Sequence, residues 1–198
     1  MHAAPPVLAN HHAVKFYPND ASLFTTVGEF ISQGLIGGQP ALVIATDSHA
    51  TGILDQLRSR YIDVARAIDR GELIILDAHQ TLDQFMVNGH PDSARFADTV
   101  GRLVAGTITG RPAKTLVRAY GEMVDVLWKD GRQDAAIRLE ILWNRLAATY
   151  HFALLCGYAI GHFYKETRGF EDVCQQHSHV IPPDVEAAVI APGSNPTA

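Results

Sequence analysis

Cysteine is scarce in this sequence: only Cys156 and Cys174 occur among its 198 residues. Cys156 lies within an apolar run, and we expect both side chains to be reduced thiols in a cytoplasmic protein, although two cysteines leave a bridge open. The chain needs no disulfide to hold a core, because a protein of this length buries roughly 70–75% of its unfolded surface.

Long apolar runs and an excess of basic residues are also missing. No run approaches the ~18–20 residues that span a bilayer, and the opening MHAAPPVLANHH has neither the basic region nor the apolar core of a secretory signal. The formal charge of −5 and the pI near 6.0 argue against direct binding of nucleic acid. We therefore expect no membrane contact and no nucleic-acid partner.

Short apolar runs alternate with helical patterns along the chain, which predicts one α/β domain. Candidate buried strands are ALVIA at 41–45, ELIIL at 72–76, 115–120 and 152–158, and further short strands are expected at 12–17, where polar and apolar residues alternate, and at 177–181. Strands joined by helices favour a parallel sheet with helices on both faces, hence three layers and a mostly parallel central sheet. We predict mobile ends at 1–11 and 183–198, with the folded domain at 12–182.

A phosphate-binding loop is absent where such a fold would place it. The junction after the second strand, ATDSHATG at 45–52, has one late glycine and no lysine. Phosphate loops need glycines and a Lys followed by Ser or Thr, and Asp47 would put negative charge at the anion site. An ordinary helix cap is the better interpretation, so we expect no nucleotide hydrolysis.

The stretch 115–158 carries polar residues where a core would be apolar. Arg118, Tyr120 and Glu122 alternate along one strand and share a face. They either form a polar set near the strand end or serve as an internal Arg–Glu pair, since buried charges persist mainly when paired. On the following helix, Glu140 and Asn144 lie one turn apart, opposite the outward Arg138 and Arg145. They line a pocket or bond to a neighbouring strand.

Nucleophile and metal motifs are weak. Cys156 in LLCGY is expected to be an inert core residue, since no helix start follows it to activate a thiolate. Cys174, His177 and His179 offer a Cys-x₂-His-x-His spacing that matches no standard zinc pattern. We predict no catalytic residue, no metal and no cofactor.

Aromatic residues are the remaining signal. Most belong to a core, but a pocket for a small apolar ligand would use the same side chains with one or two polar anchors. The candidate ligand-binding residues are Arg118, Tyr120, Glu122, Trp128, Glu140, Trp143, Asn144 and Phe16. Arg118 or Glu122 would orient the polar group of the ligand, and the two tryptophans and Phe16 would supply apolar walls.

Seven blocks in order resemble the MEDS domain, the methanogen/methylotroph DcmR sensory domain. They are HAVKFY from His12, ALVIATDSH, GELIILDAHQTLDQFMVNGHPDSARF, RAYGEMVDVLWKDG, RLEILWNRL, FALLCGY and CQQHSHV, which ends at Val180. The resemblance implies a RecA/KaiC-like fold without a phosphate loop, and a sensory module proposed to bind small hydrocarbon derivatives. Family members often accompany a DNA-binding domain or a histidine kinase. We expect neither segment here.

These observations lead to one functional hypothesis with three alternatives. The preferred hypothesis is a stand-alone, non-enzymatic sensory domain that binds a small apolar molecule. It would signal in trans to a histidine kinase or a transcription regulator, with a homodimer left open. The alternatives are an interaction module without a small-molecule ligand, a cysteine-dependent enzyme and a degenerate ATPase.

Overall fold

The computed structural model describes residues 11–112, 114–163 and 167–182. The predicted mobile ends lie, apart from residue 11, outside these residues. The described residues include the predicted parallel sheet and the helices that cover it.

The strands are short, and β1, β2 and β6 are buried along their whole length. Their bounds are β1 His12–Tyr17, β2 Ala41–Ala45, β3 Leu73–Asp77, β4 Met86–Val87, β5 His90–Pro91, β6 Val117–Gly121, β7 Phe152–Ala159 and β8 His179–Ile181. Six of them form one sheet in the order β3-β2-β6-β7-β1-β8, and every pairing within it is parallel. β4 and β5 form a separate antiparallel hairpin.

The helices connect the strands and cover both faces of the sheet. Their bounds are α1 Asp20–Ile36, α2 Asp47–Ser59, α3 Val64–Asp69, α4 Ala78–Phe85, α5 Ser93–Phe96, α6 Arg102–Ile108, α7 Met123–Lys129, α8 Gln133–Ala147 and α9 Thr167–Gln175. A π-helical turn, Ala97–Gly101, joins α5 to α6, and a 3₁₀ turn, Ile160–Phe163, follows β7.

Alternation along the strands sorts the core into two layers. In β2, Ala41, Val43 and Ala45 pack with α1, α2 and α3, whereas Leu42 and Ile44 pack against the helices of the opposite face. The same alternation in β1 puts Phe16 and Tyr17 on opposite faces. The predicted single three-layer α/β domain is therefore confirmed, and its six-stranded sheet is wholly parallel.

Side-chain caps define the starts of two helices. α1 is capped by Asn19, whose side chain accepts from the Ser22 N–H. α4 begins at Ala78, because the Asp77 carboxylate caps it by accepting from the Gln80 N–H. α3, α9 and the hairpin were not predicted, since such short or polar segments carry little periodicity.

The carboxyl ends of the parallel strands lie along one edge of the sheet. Tyr17, Ala45, Gly121 and Ala159 end β1, β2, β6 and β7 there. In open α/β sheets this edge is the usual place for a ligand. Among the described residues, no helix combines the length and the apolar character needed to cross a bilayer.

Candidate functional site

A network of polar side chains occupies the carboxyl edge of the sheet. We call it the edge network, and its members come from β1, β6, α2, α7 and the turns that follow the strands: Tyr17, His49, Tyr120, Glu122, Asp125 and His162. Glu122 and Asp125 are only 2% and 8% exposed. Buried carboxylates require partners, and both have them.

Glu122 links the end of β6 to the start of α2. Its Oε1 accepts from the Thr46 N–H at 2.5 Å, and its Oε2 lies 2.6 Å from His49 Nδ1 and accepts from the Tyr120 hydroxyl at 3.1 Å. Thr46 is the N-cap residue of α2, and its own side chain makes no cap bond. The carboxylate thus fills the anion position at a helix start, where a phosphate loop would hold its phosphate.

The carboxylates around His49 favour its protonated form. The hydrogen bond to Glu122 raises the pKa of His49, against the effect of burial, and Asp20 adds to the increase. The second ring nitrogen, Nε2, lies 3.5 Å from the Asp20 carboxylate. The His49 ring therefore bridges a buried carboxylate and an exposed one.

Asp125 fastens the ends of β1 and β7 to α7. Its Oδ2 accepts from the Tyr17 hydroxyl at 2.9 Å, and its Oδ1 accepts from the Ala159 N–H at 3.0 Å. His162 Nδ1 lies 3.2 Å from the same Oδ1, and this contact raises the pKa of His162. Burial, reinforced by the carboxylates, raises the pKa of Tyr17 and Tyr120, so both phenols stay protonated as donors.

An aromatic cluster adjoins the network on the other face of the sheet. Phe16 packs against Tyr158, Phe163 and Phe170, and Trp128 contacts Tyr158 and Phe163. Trp128 and Asp125 lie one turn apart on α7. The cluster of Phe16, Trp128, Tyr158, Phe163 and Phe170 is thus tied to the network through one helix.

A second polar group lies inside the molecule, where β1, β7 and α8 meet the segment after α9. We call His12, Glu140, Cys156 and His177 the His–Glu–Cys cluster. One ligand-type atom from each residue lies within 4.8 Å of the others. Glu140 also accepts from the Tyr158 hydroxyl at 2.9 Å, and Asn144 Oδ1 lies 2.9 Å from His12 Nδ1.

The groups of this cluster have opposed preferences for charge. Burial disfavours the charged form of Glu140, but the histidines and the Tyr158 hydroxyl outweigh burial and lower the pKa of its carboxyl. Burial together with Glu140 raises the pKa of Cys156, and burial lowers the pKa of His177. Cys156 is thus no activated nucleophile.

The structure separates the residues predicted to form one site. Tyr120 and Glu122 belong to the edge network, Glu140 and Asn144 to the His–Glu–Cys cluster and its surroundings, and Phe16 and Trp128 to the aromatic cluster. Arg118 binds Gln39 Oε1 and the Phe30 carbonyl beneath α1, so it does not pair with Glu122. Trp143 packs against Phe96 and Phe152 in the core.

Among the described residues, His177 belongs to the His–Glu–Cys cluster, whereas Cys174 and His179 lie outside it. His177 faces His12, with ring centroids 4.1 Å apart, whereas His179 faces His11 at 5.1 Å. The two histidines do not share a face because β8 begins only at His179.

The family model for the methanogen/methylotroph DcmR sensory domain, MEDS, matches residues 11–178. The chain belongs to the MEDS family. This match covers almost all of the described residues and both polar groups, so the two groups are parts of a MEDS sensory domain. No curated protein matches the sequence.

The candidate ligand-binding residues from the sequence include two of the six members of the edge network and one of the four members of the His–Glu–Cys cluster. His49, Asp125 and Tyr17 follow strand ends or open helices, and their position at a predicted strand end was the available signal. His12 and Cys156 lie on paired strands, with His12 opposite Leu154 in the register. Only the strand order brings them together, and no local pattern reveals that order.

Proposed function

We propose that this MEDS domain binds a small, largely apolar molecule with one polar group, and that it passes the signal to a histidine kinase or a transcription regulator in trans. The observation that carries the proposal is the edge network, in which two buried carboxylates lie near aromatic side chains at the edge where open α/β sheets usually bind ligands. The family's sensory description supports the role, and it does not identify the ligand.

The ligand would lie over the carboxyl ends of β1, β6 and β7. Glu122 and Asp125 would orient its polar group, because each already accepts from a backbone N–H and a phenol, and a ligand O–H or N–H donor could take the place of the phenol. Phe16 and Trp128 would supply the apolar wall. Binding would change the contacts of α7, which carries both Asp125 and Trp128.

A chemical-shift titration tests this placement. Short-chain haloalkanes, alcohols, ketones and carboxylic acids are added one at a time to ¹⁵N-labelled protein. We expect at least one compound to cause saturable shifts of the Thr46 and Ala159 amides, whose N–H groups bind Glu122 and Asp125. Asp125→Asn should weaken the binding of that compound by about tenfold, which corresponds to about 1.4 kcal/mol of binding free energy.

The control variant is Glu72→Gln, since Glu72 pairs with Arg70 on the surface. It should bind the compound as the unaltered protein does. If no compound on the panel shifts the two reporter amides in a saturable way, the proposed ligand site is wrong.

We propose that the domain has no enzymatic step. The raised pKa and burial of Cys156 support this, because a buried thiol with a raised pKa is a poor nucleophile. We also propose that the sheet is RecA/KaiC-like with its phosphate position taken by the Glu122 carboxylate. ATP should then leave the melting temperature unchanged, and a clear increase would contradict this.

A module that only binds other proteins is the second candidate. The groove that favours it lies between the β4–β5 hairpin and α8, where Ile141, 36% exposed, is flanked by Arg138 and Arg145. Native mass spectrometry of freshly purified protein discriminates the two. A dimer or a bound protein partner with no small-molecule adduct favours the interaction module.

A further inference from the structure

We propose that the His–Glu–Cys cluster binds one divalent transition-metal ion of the zinc class. The cluster combines two imidazoles, a carboxylate and a thiol, which are the ligand types found around Zn²⁺. This inference is independent of the proposed apolar ligand, because the cluster shares no residue with the edge network.

Three of the ligand atoms form a nearly equilateral triangle. His12 Nε2 lies 3.2 Å from Glu140 Oε2 and 3.4 Å from Cys156 Sγ, and Cys156 Sγ lies 3.4 Å from the same Oε2. A tetrahedral zinc ion with ordinary bond lengths separates its ligands by roughly 3.3–3.7 Å. The triangle therefore has the dimensions of one face of such a site.

The fourth ligand is His177, which closes the site from the segment after α9. Its Nε2 lies 3.5 Å from Glu140 Oε1, and its side chain is 0% exposed. This nitrogen is buried and makes no hydrogen bond within the part of the chain that the structure describes. A buried polar atom without a hydrogen bond is uncommon and indicates a missing partner.

The outer hydrogen bonds turn both imidazoles so that Nε2 faces the cluster. His177 Nδ1 lies 2.7 Å from the Val173 carbonyl, which can only accept, so Nδ1 carries the hydrogen. Asn144 Nδ2 donates to the Gln176 carbonyl, which leaves Oδ1 to accept from His12 Nδ1. Metal-binding histidines characteristically donate their other N–H to a carbonyl or carboxylate in this way.

Lone pairs therefore converge on the centre of the cluster. With both Nδ1 atoms protonated, His12 Nε2 and His177 Nε2 point unshared electrons towards the Glu140 carboxylate. The thiol of Cys156 has one hydrogen and cannot satisfy both His12 Nε2 and Glu140 Oε2. A cation must lie among them, either an added proton on an imidazole or a metal ion.

A divalent ion balances the charge of this buried site. When it binds, the thiol of Cys156 releases its proton to solvent and the resulting thiolate bonds to the metal. The thiolate and the Glu140 carboxylate then carry two negative charges against the two positive charges of the ion, and both imidazoles stay neutral. A neutral site avoids the cost of burying net charge.

Cobalt(II) titration of untagged, chelator-treated protein is the test. Co²⁺ replaces Zn²⁺ in tetrahedral sites and reports its ligands through ligand-field bands and a thiolate-to-cobalt charge-transfer band. We expect one equivalent to bind with both signals, and one equivalent of Zn²⁺ to displace it. Elemental analysis of the protein before chelator treatment measures the metal that it acquires in cells.

Variants distinguish the metal-binding residues from residues that do not bind the metal. Cys156→Ser should abolish the charge-transfer band, and His177→Ala should weaken binding by more than about 100-fold, whereas the matched control Cys174→Ser keeps both band and affinity. Asn144→Ala, which removes only the outer hydrogen bond to His12, should weaken binding by about 10–100-fold. His177 lies outside helices and strands, so its variant is the one best suited to keep the fold.

The outcomes against the proposal are equally definite. If the unaltered protein binds no Co²⁺ or Zn²⁺, or if it binds Co²⁺ without a charge-transfer band, the cluster holds a proton and no metal. Equal metal affinity of the unaltered protein and His177→Ala would place any bound ion elsewhere. Circular dichroism of each variant confirms that a loss of binding is not a loss of fold.

Discussion

At the scale of single residues, Glu122 determines the character of the carboxyl edge. Its carboxylate occupies the start of α2 and holds His49 and Tyr120 at the same time. A negative side chain in that position repels a phosphate and favours a neutral or cationic polar group. The chemistry available to a ligand there is therefore set by one glutamate and not by the backbone of the loop.

Replacing Glu122 by glutamine should destabilise the protein by about 1–3 kcal/mol, because hydrogen bonds to a charged group are lost from a buried position. It should also lower the pKa of His49, which that carboxylate raises. Urea unfolding measures the first effect and NMR titration of the His49 ring measures the second. Glu72→Gln is the control, and its exposed pair should contribute less than about 1 kcal/mol.

The raised pKa of His49 predicts a pH-dependent stability with a definite sign. The folded protein binds this proton more tightly than the unfolded chain, whose histidine titrates near pH 6.5. The stabilisation is therefore complete below about pH 6.5 and is lost as the pH rises through the higher folded pKa. Asp125 raises the pKa of His162, so this residue changes the stability with pH in the same direction.

The measurement compares the unfolding free energies of the unaltered protein and His49→Gln across that pH range. The difference between them should be largest at the acidic end and should shrink as the pH rises. His79→Asn, at an exposed histidine, is the control for the effect of removing a histidine that is not in the network. A difference that grows towards alkaline pH would show that His49 is not the group responsible.

Residue-scale prediction from sequence succeeded where a polar residue interrupted an apolar pattern. Glu122, Glu140 and Asn144 stood out in this way, and all three lie in polar groups of the structure. Their partners could not be predicted, since His12 and Glu140 are brought together by strand order and helix packing and not by spacing along the chain. Arg118 was misread because a buried cation can be satisfied by carbonyl and amide oxygens instead of a carboxylate.

At the scale of elements, the packing of α1 on α2 depends on a glycine. A Cβ at Gly28 would lie 2.7 Å from the Cβ of Gln56, an atom fixed to the backbone of α2. The two helices can approach this closely only because Gly28 has no side chain. The position of α2 matters to the site, since its first turn carries His49.

Gly28→Ala should therefore destabilise the protein by about 1–3 kcal/mol, despite the better helix propensity of alanine. The matched control is Gly106→Ala in α6, where a Cβ would meet nothing within 4 Å. The free energy of unfolding of that variant should increase by about 0.5–1 kcal/mol. Thermal and urea unfolding measure both, and equal effects of the two substitutions would contradict the close-approach argument.

Long periodic elements were predictable and several short ones were not. The helices α1, α2 and α8 and the buried strands β2, β6 and β7 follow from the hydrophobic pattern with small errors at their ends. β8 lies within the last short strand predicted at 177–181, whereas α3 spans six residues, too few for a helical period to repeat. Tertiary contacts determine the secondary structure of such short segments.

At the scale of the whole molecule, β6 and β7 form the centre of the sheet and β8 forms one edge. Every residue of β6 is buried, whereas two of the three residues of β8 are exposed. Local opening needs least free energy where few contacts are lost. The interior strands should therefore open only with the whole domain.

Hydrogen exchange monitored by NMR tests this order. The amides of β6 and β7 should exchange most slowly, with an opening free energy close to that of global unfolding, and the amides of β8 should exchange fastest among the strands. If β8 is protected as strongly as β7, the edge is covered by contacts that the described residues do not provide.

The position of β1 in the sheet has a consequence for how the chain folds. β1 lies between β7 and β8, so His12 pairs with Leu154 and Ala13 with His179. On the ribosome β1 is made before its two neighbours, which follow only after β2, β3 and β6. β2, β3 and β6 can pair before β7 and β8 are made. Until then, β1 has no strand to pair with and its apolar side chains are not packed in the sheet. The slow step should be the closing of this long loop.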